Sequence, residues 1–198
     1  MNIANLTKRQ EEILSAALKL VANEGTRALT MKRVAEELNV TEPAIYRHFK
    51  NKRHLLLALY GYVRDLLIAE LEPILRQRLS ARDRLILFVE TLLAYLTKRK
   101  GVNLILLAET IYHQDEQLRK AMLDIFLGVR ELAAELIQQG VESGTFQPKQ
   151  KPTKYATCLL GMIQGFLTFY MLDSEMAVDT NKASKAILDC FLEPLEIK

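Results

Sequence analysis

Apolar residues recur at helical spacing along nearly the whole chain, and no segment alternates apolar with polar positions as a half-buried strand would. Thr7 followed by Gln10 has the form of a capping box, so a helix is expected to begin there. Its apolar stripe is Ile13, Ala16, Ala17, Leu20 and Val21, and Gly25 stands where it should stop. Thr30 is placed to cap a short helix with the stripe Met31, Val34, Ala35 and Leu38. After a turn at Asn39-Val40, Thr41 is placed to cap another, running to about Phe49 and burying Ile45 and Phe49. Asn51 caps a fourth helix towards Glu70, which Pro73 bends or ends.

From Ser80 the segments lengthen. Ser80 with Asp83 opens an apolar helix through Tyr95, closed by Lys98-Arg99-Lys100-Gly101, whose cations suit the negative end of a helix dipole. A short segment, Asn103 to Tyr112, precedes Asp115, which caps a helix reaching about Gln139 and ended by Gly140 to Gly144. Gln147-Pro148-Lys149-Gln150-Lys151-Pro152 reads as a linker, and two helices follow, about Thr153 to Leu172 and Asn181 to Leu192. The expected fold is all-α with about nine helices, a three-helix N-terminal domain over residues 1–53 and a larger C-terminal helical bundle over 54–198.

Composition fits an ordinary globular protein: 49% hydrophobic and 26% charged residues exclude a disordered chain. Uninterrupted apolar runs such as Leu104 to Ala108 fall short of a membrane span, and Met1-Asn2-Ile3-Ala4-Asn5 has no secretory character. The expectation is a soluble, cytoplasmic protein with no membrane partner. Cys158 and Cys190 lack metal-ligand spacing and read as small buried helix residues in a reducing compartment. Charge is uneven. Residues 1–53 hold ten basic and six acidic side chains, a balance of +4 within a chain of net +3. One basic end is what contact with a polyanion would favour.

The segment Met31 to Phe49 carries the chemistry. Two helices crossing at close range need a small residue where they meet, and Ala35 supplies it. Four residues on, the chain must turn sharply, and Asn39 tolerates a left-handed backbone better than most non-glycines. Val40 fills the space between the helices and Ile45 packs the second on the first, which makes a helix-turn-helix. The outward face of the second helix carries Thr41, Glu42, Pro43, Tyr46, Arg47, His48 and Lys50, and such a helix fits the DNA major groove.

Thr30-Met31-Lys32-Arg33-Val34-Ala35-Glu36-Glu37-Leu38-Asn39-Val40-Thr41, with Ala44-Ile45-Tyr46-Arg47-His48-Phe49-Lys50-Asn51-Lys52, resembles the signature of the TetR family of transcriptional regulators. The specific part of the resemblance covers roughly Gln10 to Leu57; beyond it the helical layout and length agree, including Gly140 to Phe146 before the penultimate helix. Asn39 stands where the family usually has glycine, and Glu42-Pro43 occupies a variable position that bears on operator choice. The resemblance implies a homodimeric DNA-binding repressor of a palindromic operator in double-stranded DNA, whose C-terminal bundle binds a small effector and dimerises.

Within that frame Thr30, Thr41 and Tyr46 offer hydroxyls to phosphates, and Lys32, Lys50 and Lys52 offer charge. Arg47 suits a bidentate contact with guanine, Glu42 can accept from cytosine N4, and His48 suits a phosphate. Packing for Tyr46 and a helix-dipole role for Glu42 are the alternatives. The last two helices form the expected dimer interface, where Gly161 and Gly165, one turn apart, allow close approach; close packing within one chain is the alternative. Effector candidates are the aromatic residues Phe88, Tyr95 and Phe126 with the polar Asn103, Glu109, His113, Gln164 and Thr168, which suit a small hydrophobic ligand or else an ordinary core. No nucleophile elbow, phosphate loop or metal-ligand spacing is present, so neither an enzyme nor a metal or cofactor is expected. The rival reading is an architectural or adaptor protein that binds DNA through the same fold and signals through a protein partner.

Overall fold

A computed structural model describes residues 6–172, 180–193 and 195. The N-terminal pentapeptide discussed above, and the side chain of His113, lie outside the described residues. Nine α-helices are found among them and no strand: α1 (Lys8–Glu24), α2 (Met31–Glu37), α3 (Glu42–Tyr46), α4 (Lys52–Leu71), α5 (Ala81–Lys98), α6 (Val102–His113), α7 (Glu116–Glu142), α8 (Pro152–Leu172) and α9 (Thr180–Leu192). Their residues fall into two compact units, one of residues up to Leu66 with Arg99–Ile125, the other of Leu67–Lys98 with Phe126 onwards.

The first unit begins with the expected capping box. The Thr7 side chain accepts from the Gln10 amide, and the Gln10 side chain accepts from the Thr7 amide at 3.0 Å. Gly25 then ends α1 at φ 78°, its amide bonded to the Val21 carbonyl. Ile13, Leu14, Ala17 and Val21 are fully buried, with Leu29, Val34, Ile45 and Phe49. Each such Val, Leu, Ile or Phe side chain contributes about 1.5–3 kcal/mol by leaving water. Asn51 caps α4 as expected, its Oδ1 accepting from the His54 amide at 2.8 Å. α6 lies against α1 and the 3-10 turn at Thr26–Ala28. It is a full helix, entered through left-handed Lys100 and Gly101.

The second unit is built on α5, with α8 and α9 packed on it and on each other. Ser80 and Asp83 open α5, the Asp83 amide donating to Ser80 Oγ at 3.1 Å. Leu85, Phe88, Val89 and Leu93 of α5 are buried, as are Leu159, Ile163 and Leu167 of α8 and Ile187, Leu188 and Phe191 of α9. Pro73 falls in a 3-10 turn, Glu72–Arg76, which accounts for the end of α4. Past α7 the chain is pinned by the Gln147 amide, which donates to the Leu195 carbonyl at 2.8 Å.

Three expectations need correction. α3 stops at Tyr46 and passes to Phe49 through turns, and the Thr41 side chain makes no capping bond. Pro43 in the first turn has no N–H to be capped, which lessens the need. Cys158 and Cys190 are exposed, because both stand on the outward faces of their helices. Finally, α8 is long and apolar enough to cross a membrane by length and composition, although only 22% of its most apolar window is buried. Counting unbroken apolar runs missed it because glycine, threonine and glutamine punctuate the helix without lowering its hydropathy much.

Candidate nucleic-acid interface

The turn between α2 and α3 sets the geometry of the site. Thr30 Oγ1 accepts from the Arg33 amide at 3.1 Å and opens α2. Val34 is fully buried and Ala35 nearly so, which lets α3 cross close to α2. At the far end Asn39 takes φ 53°, and the Val40 amide reaches back to the Ala35 carbonyl at 3.0 Å. That reversal satisfies a carbonyl the helix end would otherwise leave open. The Ala44 amide bonds the Thr41 carbonyl at 2.9 Å, which starts α3, and Ile45 is completely buried against α2.

Burying Ile45 and Phe49 fixes what the other faces present. Thr41, Pro43, Tyr46, Arg47 and Lys50 are exposed, while Glu42 and His48 are half-buried. Tyr46 keeps 47% of its surface in solvent, too much for a packing role alone. Hydroxyl, guanidinium, imidazole and ammonium groups thus share one short helix and its exit, an arrangement able to contact phosphates and base edges together.

Other cations are already occupied. Lys32 lies 3.9 Å from Glu36 and Arg33 lies 2.6 Å from Glu24, both in exposed pairs that contribute about 0–1 kcal/mol and exchange easily. Lys52 is different. It is half-buried, and its ammonium donates to the Thr26 carbonyl at 3.0 Å. Arg53 next to it pairs with Asp115, Nε to Oδ2 at 2.6 Å. That pairing, with the Gln117 and Leu118 amides, holds the Asp115 carboxyl down at about 2.

These contacts belong to a seam along α6. Lys100 Nζ donates to Asn23 Oδ1 at 2.8 Å, and Thr26 Oγ1 donates to Glu109 Oε2 at 2.5 Å. Between them, Tyr60 Oη donates to the Leu106 carbonyl at 2.7 Å and lies 2.9 Å from Thr110 Oγ1. Burial pushes the Tyr60 hydroxyl up to about 12, with the Thr110 bond opposing it. Sequence reasoning found Asp115 as a cap but not the rest of the seam, whose partners lie 26 to 83 positions apart with no local signature.

The effector candidates divide between the units. Asn103, Glu109 and His113 belong to the first, Phe88, Tyr95, Phe126, Gln164 and Thr168 to the second. Phe88 and Tyr95 are buried, and Phe126 and Gln164 are half-buried. Glu109 is engaged by Thr26, whereas the buried Asn103 Oδ1 has no hydrogen-bond partner among the described residues. Thr168 is exposed on α8, donating to the Gln164 carbonyl at 2.9 Å, on the outward side rather than toward the buried Leu167. An open groove of about 480 Å³ in the first unit is lined by Glu11, Ser15, Lys19, Glu37 and Tyr62 among others. Its charged rim, where Lys19 pairs with Glu37, differs from the apolar walls expected for the effector.

Comparison with known proteins gives two family matches. Residues 13–59 match the model for bacterial regulatory proteins of the tetR family, and residues 78–180 match a tetracyclin repressor-like C-terminal domain. The nucleoid occlusion factor SlmA of Vibrio vulnificus is 26% identical over 168 residues, 83% of this chain and 85% of that protein. Among solved structures, the regulator FadR of Bacillus subtilis in complex with stearoyl-CoA superposes with a TM-score of 0.79 at 19% identity, covering 93% of this chain and 98% of that one. The complex of triclosan with SmeT, repressor of the Stenotrophomonas maltophilia efflux pump SmeDEF, does so at 0.76 and 20% identity, covering 97% and 93%.

Proposed function

The chain belongs to the tetR family of bacterial regulatory proteins, and from that premise we propose that it is a homodimeric repressor, released from a palindromic operator by a small hydrophobic effector. The family is one of DNA-binding regulators, not enzymes. The observation that carries the reading is the helix-turn-helix itself: a buried Ile45 behind an exposed Tyr46-Arg47 pair, held by the reversal at Asn39. In this reading Arg47 and Glu42 read base edges, Pro43 beside Glu42 bears on operator choice, and Thr30, Lys32, Thr41, Tyr46, His48 and Lys50 set the domain on the backbone. Lys52 joins them only by leaving the Thr26 carbonyl. The division of labour is a DNA-binding domain over residues 1–53 and an effector and dimer domain over 54–198, acting in the cytoplasm where the chromosome is.

One short helix reads too few base pairs to find a site alone. Two-fold symmetry presents two such helices about 34 Å apart, one DNA turn, and makes the operator palindromic. The dimer is supported by α8, where Gly161, Gly165, Thr168, Phe169 and Leu172 are all exposed at helical spacing. A second copy would cover that stripe, and among the described residues nothing lies within 4 Å of where a Cβ on either glycine would sit, so another helix can approach there. The same cover accounts for a helix apolar enough for a membrane.

A hydrophobic effector agrees with the ligands in two structural neighbours, stearoyl-CoA and triclosan. The relatives called nucleoid occlusion factors favour a second reading, a DNA-bound adaptor that acts on a protein partner. Selection of bound sequences from random duplex DNA tests the reading. A palindrome preferred at physiological salt supports a site-specific dimer, and sequence-blind binding overturns it. A ligand that raises the melting temperature and lowers operator affinity then favours the repressor. A bundle indifferent to ligands, with many chromosomal sites, favours the adaptor.

A further inference from the structure

Arg53, in the first turn of α4, is held by a two-pronged ion pair. Its Nε and Nη2 lie 2.6 and 3.1 Å from Asp115 Oδ2 and Oδ1, and Nη2 also donates to Gln117 Oε1 at 2.9 Å. Asp115 is itself fixed, because it caps α7 by accepting from the Gln117 and Leu118 amides at 2.9 and 3.2 Å. The carboxylate therefore stays where the cap puts it, and the guanidinium comes to it. Exposure is unequal: 53% of the Arg53 side chain faces solvent against 19% for Asp115. The cation is open to a second anion while its partner is mostly covered.

Lys52 repeats the pattern one residue earlier. Its ammonium bonds the Thr26 carbonyl, and the Thr26 hydroxyl bonds the Glu109 carboxylate. Both first-turn cations of α4 are thus committed to protein acceptors, although Arg53 lies only three residues beyond Lys50 and six beyond Arg47. Water and salt reach the Arg53 side of the pair, so the guanidinium can exchange partners even though the carboxylate is fixed. Duplex DNA offers a dense row of equivalent anions to any guanidinium within reach.

We propose that the Asp115 carboxylate competes with DNA phosphate for Arg53, so that a chain with this pair closed keeps one phosphate contact in reserve. The proposal rests on the DNA-binding reading above. It makes the Arg53–Asp115 clasp an autoinhibitory contact that sets operator affinity without touching a base. Any event that moves the α7 cap away from α4 adds one cation to the DNA-facing set.

Asp115→Asn tests it, because asparagine still caps a helix but lacks the charge. Duplex binding is followed by fluorescence anisotropy between 50 and 200 mM salt for wild type, Asp115→Asn and Asp115→Asn/Arg53→Ala. One extra phosphate contact in each half-site steepens the log–log salt slope of the dimer by about 1.8, so the advantage of Asp115→Asn shrinks about 12-fold across that range. The advantage and the steeper slope should both vanish in the double variant. An unchanged slope in Asp115→Asn overturns the clasp, as does a gain that survives loss of Arg53, which would be a general effect of charge. Wild type that binds no duplex at all would instead overturn the DNA-binding reading itself. Thermal unfolding of each variant verifies that the cap has survived.

Discussion

The ring of Phe146 occupies the space where a side chain on Gly140 would sit: a Cβ built on that glycine would lie 2.0 Å from Phe146 Cδ2 and 2.4 Å from Cε2. The contact closes the end of α7, because the Thr145 and Phe146 amides both return to the Gly140 carbonyl, at 2.8 and 3.0 Å. Phe146 is buried, so the ring has little room to retreat. Glycine inside a helix ordinarily costs about 0.5–1 kcal/mol relative to alanine, and Gly140→Ala should reverse that sign. Overpacking should lower stability by about 1–3 kcal/mol, read as a lower urea midpoint at unchanged slope. A higher midpoint would show that the ring swings aside.

Gly161 and Gly165 make the opposite case. Among the described residues a Cβ at either meets nothing within 4 Å, so within one chain Gly161→Ala or Gly165→Ala should add about 0.5–1 kcal/mol of helix stability. If a second copy seats there, the larger Gly161→Leu/Gly165→Leu should weaken association at least tenfold by holding the helices apart. Sedimentation of wild type and variant over a micromolar concentration series separates the two effects. Equal association constants would remove this stripe from the interface.

Tyr60 offers a prediction in pH. Its hydroxyl is fully buried, bonded to the Leu106 carbonyl and Thr110, and pushed up to about 12 from the ordinary 10. The folded state therefore holds the phenolic proton more tightly than the unfolded state does. Its contribution is complete below about pH 10 and is lost as pH rises from 10 to 12, a fall of roughly 2 kcal/mol. Tyr60→Phe should lose about 1–2 kcal/mol at neutral pH and flatten the alkaline decline. Denaturation at pH 8 and pH 11 measures both; an equal decline in both proteins would assign it to other groups.

What could be read in advance divides along sequence distance. The Thr7–Gln10 box, the Thr30, Asn51 and Ser80 caps and the left-handed Asn39 each depend on residues a few positions apart, and each is found as expected. The exposed set on α3 follows in the same way, since burying Ile45 and Phe49 leaves little choice for Tyr46 and Arg47. The seam of α6 was not legible. Nothing about Glu109 distinguishes a ligand-binding carboxylate from one bonded to Thr26, and nothing about Lys52 shows an ammonium turned onto a backbone carbonyl. Long flexible side chains take partners that only the completed fold brings near. The cysteines failed for a related reason, because composition alone cannot say which face of a helix will be covered.

That difference bears on how the DNA contacts should respond to mutation. Arg47 and Lys50 are exposed, and neither contributes to the buried core around Ile45, so replacing either should leave folding within about 0.5 kcal/mol of wild type. Arg47→Ala should cost about 1–3 kcal/mol of operator affinity and relax preference at one position of each half-site, as expected for a bidentate contact with a base. Lys50→Ala should weaken all duplexes alike and reduce the salt slope by about 1 per half-site, as expected for a phosphate contact. Binding of both variants to the selected operator and to a scrambled duplex, across a salt series, separates the two roles. If Arg47→Ala reduced affinity for both duplexes equally, the guanidinium would be a backbone contact, and sequence reading would fall to Glu42 and the first turn of α3.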